Sequence, residues 1–444
     1  MKADIRIAWT LARGSERREW WRILLTALGA LAATGFALAA VTIAAVRGQV
    51  SIPYAHGLLD RPGERGGVVL ALVLLLVPVL GFLGQCARIG AVHRHRRMAG
   101  MRLAGATPAQ VRRIAAAESA FACLAGSAAG FAAYAVFLAV AGHTPPPVTW
   151  ASFVVVVLAV PVVAALVSVF VLRHVVASPL DHVRRTAPDQ GRRAALVSLL
   201  AVGLIVVAAL LHLSPAGRDV KPFALLVVGL VLLTASGAIW VTGAFAAFVG
   251  RRLTLRAQNP AVLIAASRLA QDPWAAARTH AALLLVTVVG VSFAGVRGVL
   301  LAALEKGDYR PMSLAFYTTG IDLAGGAVLV ALAISLCGLA VGTAESLATR
   351  RRGLAAQAAA GVPHRVLAEA ALLETALPLA PALLLAGFGG TVVYVAYAMV
   401  VVATSVPLLP LLVPLTVYAT CLLAAATSLP LLRRAVHPAE LRFT

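Results

Sequence analysis

The chain carries a basic motif that reads RHRRMAGMRLAGATPAQVRRIAAAES over residues 94–119. The same motif returns without a gap 256 positions later, as RRRGLAAQAAAGVPHRVLAEAALLET over residues 350–375. In this register Gly105 aligns with Gly361. Each copy lies between two long apolar runs. The repetition therefore predicts two similar units that make up most of the chain.

Local residue preferences predict a helix, a break and a second helix in the first copy. Met98 and Met101 lie on one face of a short amphipathic helix that has arginines on its other side. Gly105 ends this helix, because glycine takes the left-handed conformation without a steric cost. Thr107 and Pro108 fit the cap and the first residue of a new helix, which continues into an apolar segment. The motif is thus a basic elbow at a membrane face.

The composition indicates an integral membrane protein. Of the 444 residues, 61% are hydrophobic and only 12% are charged, and the mean hydropathy is +0.92. The formal charge of +21 comes largely from arginines at the ends of apolar runs, so membrane orientation explains it and no nucleic-acid partner is expected. The four cysteines lie in apolar runs without metal-ligand spacing, and no metal site is predicted.

Ten apolar stretches come near the ~20 residues that are needed to cross the hydrocarbon core. They are residues 23–46, 68–87, 115–141, 151–172, 195–213, 223–249, 281–302, 323–343, 370–402 and 411–432. Most of the 38 lysines and arginines fall on one side when the N-terminus is placed inside, so both termini are predicted to be cytoplasmic. We expect an all-α, multi-pass protein with ten transmembrane helices and an uncleaved first span.

The repeat predicts three parts. A first four-span unit covers residues 1–185, a two-span insert covers 186–258, and a second four-span unit covers 259–444. Because the insert contains two spans, both units have the same orientation and form parallel repeats. The two elbows then face the same compartment, which is the cytoplasm.

The repeated motif resembles the FtsX-like permease family, the membrane subunits of MacB-type ABC transporters. The resemblance rests on a basic stretch, an alanine-glycine turn, a glutamate at the start of the next span and a glycine-rich patch after it. The patch consists of Gly126 and Gly130 in the first copy and of Gly387, Gly389 and Gly390 in the second. Both four-span units are covered. The outer loops depart from the family pattern, because each has only about 20 residues and is too short for a domain of its own.

The resemblance implies an ATP-driven complex in which the two elbows are coupling helices. Elbow residues in the first copy would be Arg94, Arg96, Arg97, Met98, Met101, Arg102, Leu103, Gly105, Thr107 and Pro108, and in the second copy Arg350, Arg351, Arg352, Leu354, Gly361 and Pro363. A separate ABC ATP-binding subunit, expected in two copies per chain, would bind ATP and Mg, because this chain has no GxxxxGK[ST] motif. The chain itself is therefore expected to be neither an enzyme nor a cofactor-binding protein.

The implied function is export or extraction of a hydrophobic substrate across or from the bacterial cytoplasmic membrane. A lipid, a peptide antibiotic or a lipoprotein would fit, and an outer partner protein is left open. A non-transporting mechanotransmitter that activates an outer enzyme is an alternative that the family also allows.

The same residues also have simpler interpretations. The elbow arginines would serve as anchors to anionic lipid, and Met98, Met101 and Leu103 would fit a helix lying in the headgroup region. Glu118 and Glu374 lie inside spans, where a carboxylate is costly. They would either pair with a nearby arginine or helix N-terminus, or couple protons in a secondary transporter.

Overall fold

The computed structural model of the protein describes residues 17–52, 55–103, 105–176, 202–203, 221–305, 314–400 and 407–435, and these form helices joined by short connections, with no strand among them. Helices α1 to α4 are Arg17–Ala45, Pro62–Leu103, Pro108–Val140 and Pro147–Val176. Helices α5 to α8 are Lys221–Arg256, Pro260–Gln271, Pro273–Glu305 and Leu314–Thr349. Helices α9 to α12 are Arg351–Ala359, His364–Val400, Val413–Ala426 and Leu429–Ala435.

Eight helices in the described ranges are long and apolar enough to cross a membrane. They are Ile23–Ala45, Glu64–Cys86, Ala117–Val140, Val227–Arg256, Thr279–Leu304, Ala315–Thr349, His364–Met399 and Leu409–Leu432. These coincide with eight of the ten predicted spans. The fourth predicted span falls on α4, where the apolar stretch is the shorter Pro147–Val163, and the fifth, 195–213, lies outside the described residues except for 202–203. An all-helical multi-pass membrane protein is confirmed, and the ten-helix repeat stays a prediction.

The chain divides into two compact units. The first consists of Met1–Arg185 and Ala315–Ala327, and the second consists of Thr186–Leu314 and Val328–Thr444. The start of α8 therefore belongs to the first unit, whereas the sequence places it in the second repeat. The three-part division by repeats stays a prediction.

Close packing of α1 against α3 organises the first unit. A Cβ atom added to Gly126 on α3 would lie 2.1 Å from the carbonyl oxygen of Ala27 on α1. Two membrane helices approach this closely only where one of them lacks a side chain. Further along the same pair, the Tyr134 hydroxyl donates to Oγ1 of Thr42 at 2.8 Å. The glycine-rich patch after the first elbow is therefore a helix contact.

One large apolar cluster forms the core of the second unit. It joins α5, α7, α8, α10 and α11 through the buried residues Ala238, Leu283, Leu284, Val288, Leu339, Leu379, Ala382, Leu383, Ala386, Val417 and Cys421. Helix α5, which the sequence assigns to the insert, thus packs into the core of this unit. On the other side of α10, Leu384 is 73% exposed, as expected for a side chain that faces lipid.

Candidate functional site

The first elbow is the end of α2 followed by a sharp break. Helix α2 is continuous through residues 94–103, which corrects the prediction of a separate short helix. The reason is that no proline or capping residue interrupts this segment, and an isolated glycine costs a helix only about 1 kcal/mol. Arg94, Arg96, Arg97, Met98, Met101, Arg102 and Leu103 lie on this helical extension, and their side chains are outside the described part of the structure.

The break itself occurs where the sequence predicts it. Gly105 has a φ of 94°, a conformation that favours glycine. Thr107 caps α3. Its Oγ1 accepts from the backbone N–H of Gln110 at 3.3 Å, and its own backbone N–H donates to the side-chain Oε1 of Gln110 at 2.8 Å. This reciprocal pair is a capping box, and Pro108 is the first helical residue after it.

The second elbow is a separate short helix that ends in a tight turn. Arg350 directly precedes α9 and makes no side-chain capping bond to it. Arg351, Arg352 and Leu354 lie on α9, and Gly361 and Pro363 lie in the turn that follows. The Val362 amide donates to the Gln357 carbonyl at 3.1 Å. The Gly361 amide donates to the Ala358 carbonyl at 2.9 Å. This pair of bonds is a Schellman motif, and the φ of 92° at Gly361 is almost the same as at Gly105.

Helix α9 packs its apolar side against other helices of the second unit. Leu354 is only 5% exposed and belongs to one buried apolar cluster with Leu347, Leu367 and Leu432, which lie on α8, α10 and α12. Residues on the other side of the elbow are exposed, namely Arg352, Ala356, Ala359, Ala360, Gly361, Pro363, His364 and Arg365. The exposed face of the elbow is therefore joined to α8, α10 and α12 through the buried cluster around Leu354.

An ion-pair cluster connects the second elbow to the spans. Oε2 of Glu374 on α10 accepts from Nη1 of Arg350 at 2.6 Å. Oε1 of Glu374 lies 3.8 Å from Nε of Arg268 on α6. The three side chains are 20–29% exposed, so water screens their charges only in part. The cluster fixes the start of α9 to both α10 and α6.

Two cations share one carboxylate in this cluster. Burial lowers the pKa of the Arg268 guanidinium below its ordinary value, and the neighbouring charge of Arg350 lowers it further, whereas Glu374 acts in the opposite direction. The negative charge of Glu374 thus offsets the repulsion between the two arginines.

We expect Glu374→Gln to lower the free energy of unfolding by about 1–2 kcal/mol, because it leaves two partly buried arginines without their counter-charge. The loss is smaller than for a fully buried pair because all three side chains keep some contact with water. The matched control is Glu369→Gln on the same helix, where Glu369 pairs with Arg365 at 3.0 Å and the side chains are 45% and 90% exposed. The control should change stability by less than about 0.5 kcal/mol. Thermal unfolding in detergent measures both, and equal effects would contradict the structural importance of the cluster.

Glu118, which aligns with Glu374 in the repeat register, is also placed inside a helix. It lies on α3 and is 7% exposed. The functional roles assigned to the elbows and to both carboxylates stay predictions. Arg268 was missed by sequence reasoning, because it lies far from Glu374 along the chain and no local pattern signals their contact.

The segment from α2 to just beyond α4 resembles a known domain. Residues 68–180 match the family model described as FtsX-like permease C-terminal. The match supports the FtsX-like permease family. The FtsX-like segment contains the first elbow and Glu118, and such a domain suggests the membrane subunit of an ABC-type transporter, a class that generally works with an ABC ATPase subunit in the lipid bilayer. No curated protein sequence matched the chain.

Proposed function

We propose that the chain is the permease subunit of a MacB-type ABC transporter in a bacterial cytoplasmic membrane. It would couple ATP hydrolysis by a separate ATPase to the export or extraction of a lipid, a peptide antibiotic or a lipoprotein. The observation that carries the proposal is the FtsX-like match over residues 68–180, which includes the first elbow. The partner ATPase would bind ATP and Mg. Two copies of it would be needed, one for each elbow. Both termini of the chain would lie in the cytoplasm, where the ATPase is.

The geometry of the second elbow supports a coupling role. Its exposed face is a short basic surface, while its buried side is fixed by Leu354 and by the Arg350–Glu374 ion pair. A partner that binds the exposed face would therefore move α9 together with α8, α10 and α12 instead of deforming a loose loop. This arrangement converts closure of an ATPase dimer into movement of spans.

A proton-coupled carrier is the alternative, and the structure gives it less support. Such a carrier would use Glu118 or Glu374 as a coupling site. Glu374 is held between Arg350 and Arg268, which is a sufficient structural reason for an acid at this depth. The same pairing occurs next to the second elbow, where a permease subunit would need rigidity.

We expect a cysteine placed on the exposed face of the second elbow to cross-link to a P-loop ATPase. Ala359→Cys would be made in a chain whose exposed Cys337 is replaced by alanine, and native membranes would be treated with a short bis-maleimide. Mass spectrometry would then identify the cross-linked protein. Leu384→Cys is the control, because Leu384 is 73% exposed within a span and should not reach a soluble partner. If Ala359→Cys gave no ATPase adduct, or both positions gave the same one, the elbow would not be the docking site.

A further inference from the structure

Helix α5 ends in a basic surface that the proposed function does not use. Its last six residues include three arginines, namely Arg251, Arg252 and Arg256, and all three are exposed. Neither α5 nor the following helix α6 contains an aspartate or a glutamate. No carboxylate among the described residues pairs with these arginines. Within that part of the chain, the surface therefore carries three uncompensated positive charges.

Close packing on the opposite side of α5 fixes the direction in which this surface faces. A Cβ atom added to Gly250 would lie 2.6 Å from a backbone nitrogen of α6, and one added to Gly243 would lie 2.5 Å from the ring of Trp274 on α7. At 3.6 residues per turn, these two glycines lie on one side of α5, whereas Phe248 and Arg252 lie on the other. The basic surface therefore faces away from α6 and α7.

Phe248 holds one of these arginines toward the membrane. The guanidinium carbon of Arg252 lies 5.6 Å from the centre of the Phe248 ring, which is a cation–π distance. Phe248 precedes Arg252 by about one turn, toward the middle of the candidate span Val227–Arg256, and its side chain is 57% exposed. The Arg252 side chain thus extends back along the helix toward the hydrocarbon core.

The length of α5 places this surface at the edge of the hydrocarbon core. The apolar segment Val227–Arg256 has 30 residues, which extend over about 45 Å in a helix, whereas the core is only about 30 Å thick. The surplus turns lie outside the core, and the arginines mark the end at which they do so, because a charge inside it is costly. Phe248 then faces acyl chains, and Arg252 and Arg256 lie at the depth of lipid phosphates.

We propose that this surface of α5 binds an anionic phospholipid, with the phosphate at Arg252 and Arg256 and an acyl chain along Phe248. Guanidinium groups bind phosphate through paired, charge-assisted hydrogen bonds. The acyl chain then points toward the middle of the span, as it does in a bilayer. A zwitterionic lipid would gain less, because its cationic group would meet three arginines and no carboxylate on α5 or α6. The inference goes beyond the proposed function and does not depend on ATPase docking.

Native mass spectrometry of the full chain in a neutral detergent tests the proposal with two lipids. Phosphatidylglycerol and phosphatidylcholine with the same acyl chains would be added at equal concentration, because they share the phosphate and differ in net charge. The wild-type chain should retain phosphatidylglycerol at least about fivefold better, the factor that one arginine contributes near an anionic lipid surface. Equal retention of the two lipids would overturn the proposal, and this comparison needs no variant to fold.

Variants then assign the preference to this surface. Arg252→Gln should lower the retention of phosphatidylglycerol about fivefold and leave that of phosphatidylcholine unchanged. Arg365→Gln is the matched control, because it removes the same charge from a side chain that is 90% exposed and already pairs with Glu369. The control should lower retention by less than about twofold. Equal losses in the two variants would show that overall charge attracts the lipid, and would overturn the proposal.

Phe248→Leu separates a defined site from attraction by charge alone, because leucine keeps an apolar side chain and every arginine but removes the ring. Retention of phosphatidylglycerol should fall about twofold, and unchanged retention would contradict the geometry assigned to Arg252. The same spectra also report a second copy of the chain, which is the other occupant that an exposed helix face could have. A dimer that Arg252→Gln dissociates, with no phosphatidylglycerol retained by the wild-type chain, would overturn the lipid assignment.

Discussion

Valine at both Gly105 and Gly361 is expected to reduce permease-stimulated ATP hydrolysis at least about tenfold. These residues have φ angles of 94° and 92°, where a β-branched side chain is a strong outlier that costs about 1–3 kcal/mol. Each elbow would relieve the strain by moving its helix break, and the exposed face that should contact the ATPase would turn away. The measurement is ATP hydrolysis by the purified complex, together with the amount of ATPase that remains bound.

The matched control for this double variant is Gly353→Val. Gly353 lies on α9 next to the same surface, it is exposed, and a Cβ atom there would meet nothing within 4 Å. Valine is a better helix former than glycine, so α9 should be unharmed and hydrolysis should stay near the wild-type rate. If the double variant bound and stimulated the ATPase as well as Gly353→Val does, the elbow geometry would have no part in coupling.

Alanine at Gly126 is expected to destabilise the first unit by about 3 kcal/mol. The new Cβ would lie 2.1 Å from the carbonyl oxygen and 2.8 Å from the Cα of Ala27, and backbone atoms cannot rotate away as a flexible side chain can. Helices α1 and α3 would have to separate, which would disturb the packing around Tyr134 and Thr42. Thermal unfolding of the full chain in detergent measures the loss.

Gly35→Ala on α1 is the control for this change. A Cβ atom at Gly35 would meet nothing within 4 Å, so the same substitution should leave stability unchanged or slightly raise it through better helix propensity. Similar unfolding temperatures for the two alanine variants would mean that α1 and α3 are not in close contact at Gly126.

The features that could be predicted from the sequence are those with a local cause. Apolar runs of sufficient length form membrane-spanning helices, because the hydrocarbon core offers backbone N–H and C=O groups no hydrogen-bond partners except one another. The break at Gly105 follows from a glycine placed before a Thr-Pro pair, and its capping box uses Gln110, only three residues after Thr107. Prolines inside spans, such as Pro78 and Pro161, are accommodated within helices, as expected in a bundle.

The features that could not be predicted depend on contacts between distant segments. The approach of Arg268 to Glu374 needs α6 and α10 to pack together, and nothing near either residue specifies that packing. The same holds for the burial of Leu354, which the sequence alone suggests as a residue of an exposed docking surface. Helix α2 continues without a break through residues 94–103 and ends only before Gly105, although the pattern of Met98 and Met101 indicated a short helix.

The most direct test of the account is to purify the chain gently from its native membrane and to measure which soluble protein accompanies it, and in what ratio. We expect a P-loop ATPase at about two copies per chain. Repeated purification without any such ATPase, under conditions that preserve other membrane complexes, would contradict the assignment of the elbows as coupling helices and with it the proposed function.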